Sequence, residues 1–160
     1  MYSKIINMYI VATQFNNAIS DPKSVFPFDH EFAKKIYPYI VNKAFAWEVY
    51  LKILILSNDN EIPQNHGIKT LYKLSGIEQD FKNYIQSIDG VNDEFINHID
   101  NYIESFSNAF VEWRYIYERD STEKLMYGFM RVFAEYLSNK CKNVILNKYK
   151  YDVNQITTFL

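Results

Sequence analysis

The stretch from Ile96 to Glu118, INHIDNYIESFSNAFVEWRYIYE, constrains the fold of this chain more than any other. Ile96, Ile99, Ile103, Phe106, Phe110, Trp113 and Tyr117 recur at steps of three and four, which is the period of one face of an α-helix and not of a strand. Asn97, Asp100, Asn101, Glu104 and Glu112 fall on the opposite, solvated side. The spacing predicts one long amphipathic helix from Ile96 to Glu118. That helix carries an arginine at its apolar edge. Arg114 lies four residues after Phe110 and three before Tyr117, so the three side chains leave from one side. A guanidinium cannot shed its charge in a protein, and a buried charge stripped of its partner costs roughly 3–5 kcal/mol. Arg114 therefore needs a carboxylate, an opening to water or an anionic ligand. Glu118, four residues on, is within reach along the same helix.

A chain of 160 residues suits one domain spanning 1–160, with room for a full core. Its 48% hydrophobic and 22% charged residues are those of a globular protein and not of a disordered one. Four Gly and four Pro leave few turns, so the elements are long, and the class read from the chain is all-α. The 14 Tyr and 12 Phe read first as an aromatic core; a base-stacking surface is the sharper alternative. A net charge of −2 is not the overall footprint of a nucleic-acid binder, although a local basic patch is compatible with it. The single cysteine, Cys141, excludes an internal disulfide and fits a reducing compartment. The N-terminus lacks the features of a signal peptide. The most apolar run, Val49 to Leu56, is interrupted by Lys52 and too short to span a bilayer. The expectation is a cytoplasmic protein with no membrane partner.

Taken in order, Ser3 to Ile19 reads as a first helix with Ile5, Met8, Ala12, Phe15 and Ile19 inward. Residues 21–36 read as a packed loop with a short helical turn near Glu31 to Lys35, His30 being a surface or capping residue. A second helix starts near Pro38 and runs to Leu56, with Val41, Ala44, Leu51 and Ile55 inward. Ser57 to Gly67 is a loop. His66 and Gly67 precede a short helix with Ile68, Leu71, Tyr72 and Leu74 inward, broken by Ser75 and Gly76. Ile77 to Ile88 is another short helix, and Asn92 caps the long one that follows. After the polar turn of Arg119, Asp120, Ser121 and Thr122, a last helix runs from Glu123 to Lys148, with Leu125, Phe129, Val132, Tyr136 and Leu137 inward. Its basic end, with Lys140, Lys142, Lys148 and Lys150, is read as a solvated terminus that complements the helix dipole, or as a phosphate-facing patch. The tail after Val153 is frayed, or docked by Phe159 and Leu160.

Glu48 is the second displaced charge. It falls inside the apolar row of the second helix, four residues after Ala44 and three before Leu51. Lys52 can pair with it along the helix. Opposite charges on two apolar stripes are costly apart and tolerable together, which predicts that Glu48 and Arg114 face each other between helices. Such a pair either fixes helix register or marks a ligand or catalytic pocket. No Gly-rich phosphate loop, zinc-type His/Cys cluster or nucleophile elbow is present, so no cofactor and no metal are implied.

AFAWEVYLKILIL, then HGIKTLYKL, then FSNAFVEWRYIYE, together resemble the HEPN superfamily of nucleotide-binding helical domains over roughly Ile40 to Leu137. The resemblance implies an up-and-down bundle of four to five main helices plus short connecting helices. It also implies a likeness to homodimers of prokaryotic toxin–antitoxin and phage-defence systems that bind a nucleotide, RNA or a cognate partner protein. Many such proteins are metal-independent RNases, whose motif is an arginine followed after four to six residues by a histidine. Arg114 matches the arginine, and Glu48 matches the acidic position within AFAxE. Positions 119 to 121 hold Arg119, Asp120 and Ser121 in place of the histidine. The first expectation is therefore a dimeric binding bundle, with Arg114, Arg119 and His66 as ligand-binding candidates. The alternative is a metal-independent endoribonuclease with Arg114, Glu118 and Glu48 as catalytic candidates, Arg114 stabilising the charge that develops at phosphorus. A third is a purely structural helical interaction protein. His66 either caps its own helix or enters the cleft.

Overall fold

A computed structural model of the chain describes residues 2–19, 30–58, 61–107 and 125–151, without the side chains of residues 2, 30–37 and 125–127. The described residues are helical or irregular, with no strand among them. Among the described residues seven helices follow in order: α1 (Tyr2–Asn17), α2 (His30–Ser57), α3 (Ile68–Ser75), α4 (Glu78–Gln86), α5 (Asp93–Asn97), α6 (Ile99–Ser107) and α7 (Leu125–Tyr149). The fold is all-α, and the contacts are those of a bundle.

α2 is the central element. It packs against α1, α3 and α7, while α3 packs on α6 and α1 on α7. The sequence of α2 explains this placement. Ala44, Leu51 and Ile55 are buried as their period predicts, and so are Tyr39, Ala46, Trp47, Tyr50, Ile53 and Leu54 on other sides. A helix that is apolar nearly all round belongs inside. Pro38 lies within α2, which begins at His30, eight residues earlier than the proline suggests. An interior proline removes a backbone donor and costs about 3 kcal/mol in an unsupported helix. The wholly buried Tyr39 and Trp47 that follow it supply packing that outweighs this local preference. Asn42 Nδ2 donates to the Pro38 carbonyl at 2.7 Å.

The core is aromatic. Trp47 of α2 meets Phe106 of α6 at 4.9 Å between ring centroids and Phe133 of α7 at 5.0 Å, both edge to face. Phe81 of α4 meets Phe133 and Tyr136 at 4.8 Å each. Edge-on rings place the positive rim of one on the negative face of the next. The Trp47 indole N–H has no hydrogen-bond partner among the described residues, and rings surround it.

Several expected inward positions shift. In α1, Ile5 and Ala12 are buried with Ile6 and Tyr9, whereas Phe15 is exposed and lies against Phe45. In α3, Ser75 is buried and Leu74 is exposed. The buried Ser75 hydroxyl donates to the Tyr72 carbonyl, so the small polar residue occupies the inner row at no hydrogen-bonding loss. In α7, Phe129, Tyr136 and Leu137 are buried as expected, joined by Met130, Phe133, Cys141 and Ile145, while Val132 is half-buried. The Cys141 thiol donates to the Tyr50 carbonyl at 3.4 Å, and burial pushes its pKa up.

The stretch expected as one helix from Ile96 begins as two. Asn92 Oδ1 accepts from the Phe95 N–H at 2.9 Å and so caps α5, the short helix. His98 then leaves helical geometry, and its Nδ1–H donates to the Glu94 carbonyl at 2.7 Å, closing α5. α6 restarts at Ile99 with Ile99, Ile103 and Phe106 buried. Periodicity does not mark this break, since the partly buried Phe95 and Ile96 of α5 lie just ahead of the buried Ile99 of α6. The rest of the predicted helix, with Arg114 and Glu118, lies outside the described residues, as do Arg119 and the tail beyond residue 151.

Candidate functional site

Glu48, His66 and Lys52 meet where α2 passes the start of α3. Lys52 Nζ donates to Glu48 Oε1 at 2.8 Å from one turn along α2. His66 Nδ1 stands 2.7 Å from the same oxygen, across eighteen residues of sequence. An ionised carboxylate only accepts, so the proton of this bond sits on Nδ1. The Glu48 side chain is 12% exposed and that of His66 is 74% exposed. A nearly enclosed carboxylate thus holds an open imidazole, whose other nitrogen, Nε2, has no partner among the described residues.

The local turn explains why His66 reaches α2. Asn65 Oδ1 accepts from the Gly67 N–H at 2.6 Å. Gly67 is the N-cap of α3, in extended geometry and with no side-chain cap bond. Asn65 thus performs the turn closure, and His66 is released from it. The expectation that His66 caps its own helix is corrected: its ring bonds to Glu48 instead.

The end of α6 packs on the first turn of α3. Ser107 Oγ accepts from the Lys69 N–H at 2.7 Å, satisfying a first-turn donor of α3 that the helix itself leaves open. Lys69 also pairs with Glu104 at 2.9 Å and holds that carboxyl below the usual range. α6 ends at Ser107, seven residues before Arg114 in sequence.

Other polar clusters serve the helix contacts. Tyr136 and Lys140 of α7 both donate to Asp80 Oδ2 of α4, at 2.5 and 2.8 Å. Lys148 donates to the Ser57 carbonyl at the end of α2. Two of the lysines expected as a solvated or phosphate-facing end are thus engaged by the protein itself. Between α1, α2 and α7 lies an open cleft of about 230 Å³ whose lining includes Asn16, Lys43, Arg131 and Ser138. Lys43, only 8% exposed, donates to the Asn16 backbone and side-chain oxygens at 2.8 Å each and lies 5.0 Å from the centre of the Tyr39 ring. Sequence reasoning passed over Lys43. The available signal was its place four residues after Tyr39 and four before Trp47.

Of the candidates read from the sequence, Glu48 and His66 are brought together, and the Glu48–Lys52 pair forms as expected. Arg114, Glu118 and Arg119 lie outside the described residues, and so does the expected meeting of Glu48 with Arg114. Among the described residues no three His, Cys, Asp or Glu side chains gather to hold a metal ion, and no helix is long and apolar enough to cross a membrane. Comparison with known proteins finds no matching family model, no matching curated protein and no matching solved structure.

Proposed function

We propose that this chain is a HEPN-like helical bundle that forms a homodimer and binds RNA or a nucleotide at the Glu48–His66 corner, in a prokaryotic toxin–antitoxin or phage-defence setting. The observation that supports this reading is the meeting of α2 with the turn before α3, where His66 Nδ1 stands 2.7 Å from Glu48 Oε1. Arg114, seven residues beyond Ser107 in sequence, is the phosphate-binding candidate that the resemblance adds. The guanidinium supplies a bidentate phosphate contact, and the open imidazole supplies a further donor when protonated.

The experiment is a titration of a fluorescein-labelled single-stranded RNA with the full chain, using ATP as competitor and sedimentation to read the dimer. Wild type binds, and Arg114→Ala weakens binding by about tenfold or more while circular dichroism stays helical, as expected for one lost charge-assisted contact. Displacement of the RNA by ATP assigns a nucleotide site within the same surface. A folded wild type that binds neither RNA nor ATP overturns the reading.

A further inference from the structure

We propose that the cleft between α1, α2 and α7 binds a small zwitterion, a free α-amino acid, with Arg131 holding its carboxylate and Glu135 its ammonium group. None of the lining residues belongs to the Glu48–His66 corner, so the inference stands apart from the RNA-binding reading.

The cleft follows from the sequence of α7. Arg131, Ala134, Glu135 and Ser138 stand at i, i+3, i+4 and i+7, so one stripe of the helix lines it. Ala134 and Ser138 are small, which leaves the hollow between the larger neighbours. Asn16 of α1 and Lys43 of α2 line it from the adjoining helices. Ser138 hydrogen-bonds to the Tyr50 phenol, which stands 3.2 Å from Thr13 Oγ1. These hydroxyls satisfy one another, so this part of the cleft is fixed before any ligand arrives.

The charges name the ligand. Arg131 and Glu135 are exposed, and neither side chain has a hydrogen bond or an ion pair among the described residues. They lie one turn apart on α7, and an arginine ahead of its glutamate is the weaker order for a pair along a helix. Opposite charges displayed together in one concavity, and not spent on each other, match a molecule that carries both. A carboxylate accepts two parallel N–H bonds from the guanidinium fork, and an ammonium donates to the Glu135 carboxylate. Lys43, only 8% exposed and donating to both Asn16 oxygens, adds a fixed positive charge from the α2 side. A plain anion is repelled by Glu135, and a plain cation by Arg131 and Lys43. Volume sets the size. About 230 Å³ falls below the roughly 300–1,000 Å³ of sites for drug-sized ligands, which suits a free amino acid and not a nucleotide.

The test is a nuclear magnetic resonance titration of the full ¹⁵N-labelled chain at neutral pH with L-alanine, acetate, ethylamine and inorganic phosphate. L-alanine moves the amide signals of Asn16, Lys43 and the stretch from Arg131 to Asn139, saturating with a dissociation constant of about 1 mM, the scale of two charge-assisted contacts at an open site. Acetate and ethylamine each forfeit one of those contacts and bind about tenfold more weakly or worse. Arg131→Ala and Glu135→Ala each weaken L-alanine by about tenfold, with circular dichroism unchanged because both positions are exposed. The absence of any saturable shift with L-alanine overturns the inference. So does unchanged affinity in either variant, and so does acetate or phosphate binding as tightly as L-alanine, which would make the cleft a plain anion site.

Discussion

Tyr136 of α7 donates its phenol to Oδ2 of Asp80 on α4 at 2.5 Å, and Lys140, one turn further along α7, donates to the same oxygen. One carboxylate oxygen thus ties two helices that are distant in sequence. The Lys140 and Tyr136 hydrogen bonds hold the Asp80 carboxyl below its usual 3.8. Burial, with the Asp80 carboxylate beside it, drives the Tyr136 phenol well above its ordinary range.

A carboxyl whose pKa is depressed on folding stabilises the fold above the unfolded value and loses that contribution as pH falls through the folded one. Asp80 is about half exposed, so solvent screening keeps the effect to about 1 kcal/mol or less. Asp80→Asn is expected to be less stable than wild type by that amount at neutral pH and equal to it in acid below the ordinary carboxylate range. Urea denaturation at a series of pH values measures the gap. A gap that persists unchanged into acid contradicts the assignment.

Alkaline pH acts through a different set of groups. Burial pushes the Tyr50 phenol up to about 12 and drives those of Tyr72 and Tyr136 higher. A group with a raised folded pKa stabilises fully below the unfolded value, near 10 for tyrosine. Its contribution is lost as pH rises through the folded value. Helicity should therefore decline from about pH 10 upward, and part of the phenolate absorbance should appear only as the helices melt. Complete tyrosine titration before any loss of helicity would refute this.

Phe133 is wholly buried and touches the rings of Trp47, Tyr72 and Phe81. Phe133→Ala removes the shared wall of that cluster, and the expected loss is about 3–5 kcal/mol. Chemical denaturation with the slope compared to wild type measures it. A loss under about 1 kcal/mol would contradict close packing around Phe133.

Gly76 ends α3 at φ +70, in left-handed geometry, with its N–H donating to the Lys73 carbonyl. A Cβ there meets nothing within 4 Å, so the penalty for Gly76→Ala is conformational alone, about 1–2 kcal/mol. Asn tolerates this region better, and Gly76→Asn should lose less. Thermal melts of the two variants separate strain from packing: equal losses would exclude the backbone explanation.

The parts legible in the sequence were those written in local period or in stop residues. The end of α3 follows from Gly76, the cap of α5 from Asn92, and the buried row of α6 from Ile99, Ile103 and Phe106. The start of α2 was not legible. Pro38 is a local signal against a helix, and what overrides it is packing around Tyr39 and Trp47, which no short window contains. Glu48 stood out because a charge on an apolar row is a visible anomaly. His66 was named as a candidate, but its pairing with Glu48 was not legible, because an aperiodic loop carries no record of where its side chains land. Lys43 was not legible because α2 buries several rows, and a single apolar row leaves Lys43 off it.

Cys141 has a practical bearing. Because the chain's only thiol is sealed behind α2, a maleimide dye added to native protein finds no attachment point there. A cysteine placed at an exposed position such as Glu94 becomes the single handle for a fluorophore or spin label. Distances from that handle to a bound oligonucleotide, or to a second copy of the chain, can then be read without engineering away the natural thiol.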